Sequence, residues 1–162
     1  MGEHRLTKDL RQLLRTRRTA ALGTLGEQGE PFVSMVPYAI DASAQELVLH
    51  VSALARHTGN MQRLPRVSLL ICAPESQDDP VHALPRVTLD ALARTPEPDG
   101  AEAKSAQQCY LARFPEAESH TALGDFRFVR LQVLGARQVA GFGAARNLPP
   151  EEVRQALSFG EK

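Results

Sequence analysis

The stretch from Leu49 to Arg66 carries side chains whose types and spacing suit the binding of an anion. It reads LHVSALARHTGNMQRLPR, in which a β-rich run ends at a serine and a short helical segment then carries Arg56 and His57. Free N–H groups at a helix start bind phosphate oxygens, and an arginine offers the same oxygens a fork of donors. A histidine adds a further donor, and a bound dianion raises its pKa. The segment therefore predicts a phosphate site, although a serine that only caps the helix and an arginine that is only a surface charge would account for the same residues.

Other catalytic signatures are absent from the sequence. It has no HExxH, no GxSxG, no P-loop and no GxGxxG between a strand and a helix. Ser52 and His57 are close in sequence, but a nucleophile–base pair also needs an orienting partner and an oxyanion hole, and the sequence locates neither. Cys72 and Cys109 stand far apart without a CxxC motif. We therefore expect two small buried or half-buried thiols with no metal or redox role.

The composition is that of one globular domain. The 162 residues are 43% apolar and 23% charged, and 19 basic residues balance 19 acidic ones. This balance gives no electrostatic reason to bind nucleic acid, and no uncharged run is long enough for a membrane helix. The first ten residues lack the apolar core of a secretory signal. We therefore expect a cytoplasmic protein that has neither nucleic acid nor a membrane as its partner.

The pattern of apolar residues predicts a mainly β fold with flanking helices. The predicted elements are a helix over 4–17, a hairpin pairing 19–26 with 31–40, a strand over 45–52, a helix over 53–64, strands over 66–73 and 81–95, a helix over 101–115, strands over 125–134 and 136–143, and a helix within 149–159. We expect Ser52 to cap the second helix, Pro37 to mark an edge or a bulge, and Gly135 to form a tight turn. Such a succession of short neighbouring strands favours an antiparallel barrel of about six to seven strands. The basic residues over 5–18 are expected to form a solvated face, with an anionic partner as the alternative.

Three blocks of the sequence, in order, resemble the FMN-binding split barrels related to pyridoxamine 5'-phosphate oxidase, and most closely the branch associated with haem utilisation. The blocks are PFVSMVPYAID, LVLHVSALARHTGNMQRLPRVSLLI and GDFRFVRLQVLGARQVAGFGAA. The resemblance covers about 10–146, leaving a short helical tail over 147–162. It implies a single split-barrel domain that forms a homodimer and holds two FMN molecules in clefts between the subunits.

The resemblance also implies which residues bind the cofactor. Arg56 and His57 fall at the phosphate, and Phe142 is the candidate for closing the cleft from the second subunit. The resemblance further implies polar contacts around the phosphate from Ser52, Thr58 and Asn60. Beside the flavin ring it implies one strand segment with Ser34, Met35, Val36 and Pro37, and a neighbouring strand with His50 and Val51.

Departures from the family pattern limit the function. The chain has no Trp, whereas the oxidase proper uses an Arg- and Trp-containing segment near its carboxyl end, so pyridoxamine phosphate oxidase activity is not expected. Arg127 stands where many relatives of the haem branch have histidine, and no histidine follows His120.

Three functions remain open at this point. The first is an FMN flavoprotein, an oxidoreductase that passes electrons to or from an unidentified small molecule. The second is a haem-handling protein that uses the same cleft and an axial histidine, with His50, His57, His82 and His120 as candidates. The third is a dimeric barrel that has lost its cofactor and serves as an interaction module.

Overall fold

Buried and exposed residues alternate along most strands, and all strands join one antiparallel sheet. The computed structural model describes residues 2–159. Its strands are β1 (Thr19–Leu25), β2 (Pro31–Pro37), β3 (Ala39–Asp41), β4 (Glu46–Ser52), β5 (Arg66–Cys72), β6 (Arg86–Arg94), β7 (Phe126–Val139) and β8 (Ala145–Leu148). Its α-helices are α1 (Arg5–Thr16), α2 (Arg56–Arg63), α3 (Ala101–Arg113), α4 (Glu118–Thr121) and α5 (Pro150–Leu157). Short 3₁₀ turns span Val81–Ala83 and Pro115–Ala117.

The strand order explains how the sheet closes. The order is β2-β1-β5-β6-β7-β4-β3, and β8 pairs with β7. Because β2 and β3 form opposite edges and are separated in the chain only by Tyr38, the polypeptide itself joins the two edges. The Tyr38 ring is fully buried, and its hydroxyl donates to the Leu14 carbonyl at 2.6 Å. The predicted antiparallel barrel is confirmed, as is the placement of Pro37 on an edge strand, which needs no N–H at that position.

Helices α1, α3 and α5 pack on the barrel. Leu10 and Leu14 of α1 join Val153 and Leu157 of α5 in the main core, which also contains the inward side chains of the strands. Helix α3 packs on the outside of β3, β4 and β7, where a second cluster forms from Ala39, Val48, Ala106, Tyr110, Phe114 and Ala117. No helix among residues 2–159 has the length and apolar character needed to cross a membrane.

Arginine side chains hold the ends of helices α1 and α5. Arg11 donates to the Gln155 carbonyl at 2.6 Å, and Arg15 donates to the Ser158 carbonyl at 2.8 Å. Arg113 of α3 in turn donates to the Arg15 carbonyl at 3.0 Å and to the Arg17 carbonyl. Carbonyl groups at a helix end lack intrahelical donors, so these arginines satisfy them.

A buried ion cluster fastens α3 to the sheet. Arg130 of β7 is 2% exposed and donates to Asp41 Oδ2 at 3.0 Å, to Glu46 Oε1 at 3.4 Å and to the Glu102 carbonyl at 3.0 Å. Arg94 adds a second cation to Glu46 and pairs with the Glu102 carboxylate at 2.6 Å. The guanidinium is therefore compensated on several sides, as a buried charge requires.

The region around Gly135 is one strand, so the predicted tight turn between two strands is wrong. Asp90 pairs with Gly135 while Ala91 pairs with Val133, so Leu134 is an extra residue that bulges without ending β7. A Cβ at Gly135 would lie 3.4 Å from the Leu148 carbonyl, which shows that glycine serves the close approach of β8. The turn lies instead at 140–144, where Gly141 and Gly143 have positive φ values.

Other boundaries also differ from the sequence-based prediction. Residues 81–85 are not part of β6, because a 3₁₀ turn and Pro85 precede it and the strand begins at Arg86. The predicted helix over 53–64 begins only at Arg56, with Ala55 at the N-cap position, so Ser52 does not cap it. The Ser52 hydroxyl instead accepts from the Leu54 N–H at 3.2 Å in a local turn. Strand β8 and helix α4 were not predicted.

Candidate functional site

Ser34 and His57 are brought together where α2 packs beside β2. Ser34 Oγ lies 3.0 Å from His57 Nδ1, and the two side chains share a hydrogen bond. Both side chains are half-buried. Burial lowers the pKa of His57 from its ordinary value, so the ring is neutral near pH 7.

Arg56 lies next to this pair at the start of α2. Its guanidinium carbon is 4.4 Å from the centre of the Phe32 ring, and its Nη2 is 3.5 Å from Glu30 Oε1. The backbone N–H groups of Arg56 and His57 belong to the first helical turn and have no carbonyl of α2 to bind. We call Ser34, Arg56 and His57 the α2 corner. It offers a cation and several donors to an anion, which would compete with Glu30 for Arg56.

Four of the predicted contact residues are buried within the protein. Val36 and Val51 are 3% and 2% exposed and belong to the main core. Thr58 and Asn60 are equally inaccessible, and their polar atoms are already engaged. Thr58 Oγ1 donates to the Ser52 carbonyl at 2.6 Å, and Asn60 Nδ2 donates to Thr24 Oγ1 at 3.0 Å. The sequence identified polar positions that hold α2 on the barrel, and the structure gives their side chains no surface for a ligand.

The remaining predicted residues of β2 point to two different sides. Side chains alternate along a strand, so Ser34 faces α2 while Met35 and Pro37 face outward. Met35 is 67% exposed, and Pro37 lines a cleft on the outside of the barrel. Phe142 lies at the tip of the 140–144 turn and is also largely exposed. The structure therefore divides the predicted contact set among separate surfaces.

His50 lies in an aromatic cluster under α3. Its ring is 4.6 Å from Phe128, 5.0 Å from Phe126 and 5.5 Å from Tyr110, measured between ring centres. Burial, followed by the nearby charge of His120, lowers the pKa of His50. Strand β4 is not hydrogen-bonded to β2, so the expectation that His50 and Val51 lie on the strand next to Ser34–Pro37 is wrong for the hydrogen-bonded order.

A cleft of about 490 Å³ borders this aromatic cluster, and sequence reasoning did not find it. We call it the His120 cleft. Its lining comes from the end of α1, the end of β2, and the segment from α3 to α4: Thr16, Arg17, Arg18, Thr19, Pro37, Tyr110, Phe114, Glu116, Ala117 and His120. The walls combine aromatic and small apolar side chains with two arginines and one exposed histidine. The signal for it in the sequence was the basic run at 15–18, one reading of which was an anionic partner.

Of the two arginines that line the His120 cleft, one is paired with a carboxylate and the other is not. Arg18 Nη2 is 3.3 Å from Glu116 Oε1, and its guanidinium lies 5.2 Å from the centre of the Phe114 ring. Arg17 Nε, by contrast, is buried and finds no acceptor within residues 2–159. Burial raises the pKa of the Tyr110 phenol, and the Glu116 charge adds to this effect. The cleft is thus lined by a neutral phenol and by Arg17, which has no carboxylate partner within residues 2–159.

The outer face of β2, β1 and β5 is apolar and uncovered. Met35 pairs with Ala21, and Ala21 pairs with Leu70, so the three side chains form a row across the sheet. Val33, two residues before Met35 on the same face, is also 67% exposed. We call Val33, Met35, Ala21 and Leu70 the β2 face. Adjacent exposed apolar side chains of this kind mark interaction surfaces.

Three or more His, Cys, Asp or Glu side chains arranged to hold a metal ion are not found within the described part of the chain. Cys72 and Cys109 are both free and half-buried, and burial, together with the Asp41 charge, raises the pKa of Cys109. A raised pKa keeps the thiol protonated and therefore weakly reactive.

The comparisons with known proteins agree with one another. The chain is 29% identical over 155 residues to the heme oxygenase HutZ of Vibrio cholerae, covering 92% of this chain and 84% of that protein. It is 34% identical over 142 residues to the chloroplast heme oxygenase HOZ of Arabidopsis thaliana, covering 85% of this chain and 41% of that protein. A solved heme-binding protein from Mycobacterium smegmatis superposes with a TM-score of 0.85 at 29% identity, covering 99% of this chain and 63% of that one. The chain thus spans less than two thirds of the last two proteins.

The model of a protein family gives the broadest match. The family described as "Pyridoxamine 5'-phosphate oxidase" matches residues 6–140. This segment runs from α1 through the whole of β7, and so includes every strand of the barrel except β8. The resemblance predicted from the three sequence blocks is confirmed: the chain belongs to the pyridoxamine 5'-phosphate oxidase family.

Proposed function

We propose that this protein binds haem and acts in haem handling, which includes storage, transfer or degradation. The observation that carries the proposal is the His120 cleft, in which aromatic walls, arginines and an exposed histidine face one space. Two of the relatives reported above are named as haem oxygenases and one as a haem-binding protein, which supports the same reading. Haem was the second of the three functions considered from the sequence, and it now replaces FMN as the leading one.

The residues of the cleft fit the chemistry of haem. The macrocycle is flat and apolar, and Pro37 offers it apolar surface together with the exposed edges of Tyr110 and Phe114, whose rings are otherwise buried. Its two propionates are anions, for which arginine is the best-matched partner. Its iron takes a nitrogen ligand from histidine in many proteins. When bound, haem would supply the redox chemistry, while these residues bind it, orient it and exclude water from one side.

A titration of the purified chain with haemin tests this proposal. We expect the Soret band of haemin to shift on binding, and the shift to saturate at one haem per chain. FMN is titrated in parallel, and the oligomeric state is measured on a sizing column. A haemin spectrum that stays the same as that of free haemin in buffer would refute haem binding.

FMN binding at the α2 corner is the second candidate. It is favoured by Arg56 and His57, which lie at the helix start where the family resemblance puts the phosphate, and by the hydroxyl of Ser34 beside them. The test is FMN titration of wild type and Arg56→Ala, with Arg66→Ala, an exposed arginine on β5, as the control. Strong loss of FMN binding in Arg56→Ala alone would support the site, and no uptake of FMN by wild type would refute it.

We also propose that the protein forms a homodimer through the β2 face. The support is the row of exposed apolar side chains on edge strand β2 and its neighbours, which water would otherwise cover. The β2 face lies on the same outward side of β2 as Pro37, which lines the His120 cleft. A second copy seated there would border the cleft.

A further inference from the structure

We propose that His120 would ligate the iron of haem in the His120 cleft and that Arg17 would pair with one of its propionates. This inference rests on the proposed function, because it assigns individual roles within the same site. It extends that function by naming one residue for the iron and one for a propionate, the two groups of haem that other flat apolar ligands lack.

The surroundings of the five histidines single out His120. His4 accepts a hydrogen bond from the Leu6 N–H at 3.2 Å and caps α1. His57 is bonded to Ser34, and His50 is enclosed by three aromatic rings within 5.5 Å. His82 is exposed on a 3₁₀ turn outside the cleft. His120 alone among them both lines the cleft and has an exposed ring, which stacks on Phe126 at 6.2 Å.

Other side chains of the cleft are poorer iron ligands. Tyr110 would have to lose its phenolic proton to bind ferric iron as tyrosinate, and its environment opposes that loss. The Glu116 carboxylate is paired with Arg18 at 3.3 Å. Neither of the two cysteines lines the cleft. The exposed imidazole of His120 could bind iron without first losing a phenolic proton, as Tyr110 must, or leaving an ion pair, as Glu116 must.

Arg17 is the arginine with capacity for a carboxylate. Arg18 is already paired with Glu116 and lies over Phe114. Arg17 forms none of the ion pairs found within residues 2–159, and its half-buried side chain lines the cleft. Its backbone is fixed because Arg113 binds the Arg17 carbonyl. A propionate would give this guanidinium a charge-assisted partner.

The experiment compares haemin binding by wild type, His120→Ala, Arg17→Gln and the exposed control His82→Ala. Soret position, ferric electron paramagnetic resonance and dissociation constants are measured, and circular dichroism checks folding. We expect His120→Ala to lose the histidine-ligated spectrum and to regain it with added imidazole, while His82→Ala matches wild type. If His120→Ala misfolds, His120→Gln takes its place.

The role of Arg17 is tested with the dimethyl ester of haemin, which lacks the propionate charges. We expect Arg17→Gln to bind haemin about tenfold more weakly than wild type and to bind the ester as wild type does. Equal weakening for both ligands would overturn the Arg17 assignment. A wild-type spectrum in His120→Ala would overturn the His120 assignment while leaving haem binding intact. A haemin spectrum that wild type leaves the same as that of free haemin would refute the proposed function itself.

Discussion

Ser34 Oγ and His57 Nδ1 are 3.0 Å apart, so one hydrogen bond joins strand β2 to helix α2. We expect Ser34→Ala to lower the free energy of unfolding by about 1 kcal/mol, because the half-buried His57 nitrogen loses its partner. Urea denaturation measures the change. Ser43→Ala, at an exposed position in the turn between β3 and β4, is the matched control and should leave stability unchanged. Equal effects of the two substitutions would contradict a specific role for this bond.

Stability should fall as the pH is lowered from about 7 to about 5.5. Burial lowers the folded-state pKa of both His50 and His57 from 6.5, so below that value the unfolded chain binds more protons than the folded one. Above about pH 7 both rings are neutral in both states, and this contribution is flat. Urea midpoints across the range measure the slope. His57→Gln should reduce the slope. A slope that His57→Gln does not change would show that this ring does not contribute.

Removing Arg130 should be among the most damaging single substitutions. We expect Arg130→Met to cost about 3–5 kcal/mol, because Asp41 and Glu46 stay buried after losing their shared cation. Thermal and urea unfolding measure the loss. Arg137→Met, on the exposed side of the same strand, should cost less than about 1 kcal/mol. A small effect at both positions would mean that hydrophobic packing of methionine replaces the ion cluster.

A charge on the β2 face should disrupt the proposed homodimer. We expect Met35→Glu to shift the protein to a monomer, since a buried carboxylate without a partner is costly at an apolar interface. Light scattering on a sizing column measures the mass. Val81→Glu, an exposed apolar position on the 3₁₀ turn, should elute as wild type does. A Met35→Glu variant that keeps the wild-type mass would exclude this face from the interface.

The sequence predicted the elements whose apolar residues alternate locally, and it missed contacts between distant segments. The β4–α2–β5 segment was recognised because its strands and helix follow one another within the chain. The His120 cleft was not, because Arg17, Pro37 and His120 meet only after α3 has packed on the barrel. Thr58 and Asn60 show a second limit: the sequence gives two polar residues near a helix start but not their hydrogen-bond partners, which are Ser52 and Thr24 within the protein.

Gly135 shows a similar limit. A glycine between two β-rich runs is typical of a turn, but the same residue type also permits another strand to approach closely. The carbonyl of Leu148, which occupies the space beside it, belongs to a strand that the sequence pattern did not reveal. The choice between the two readings therefore depended on a partner thirteen positions away.

The arginine contacts at the ends of α1 and α5 also imply an order of assembly during translation. Arg113 can bind the carbonyl groups at the end of α1 once α3 has packed on β3, β4 and β7, and this secures the backbone of Arg17. Arg11 and Arg15 can form their hydrogen bonds only after residues 155–158 have left the ribosome. A nascent chain can therefore form the Arg17 wall of the His120 cleft first, and helix α5 locks helix α1 in place afterwards.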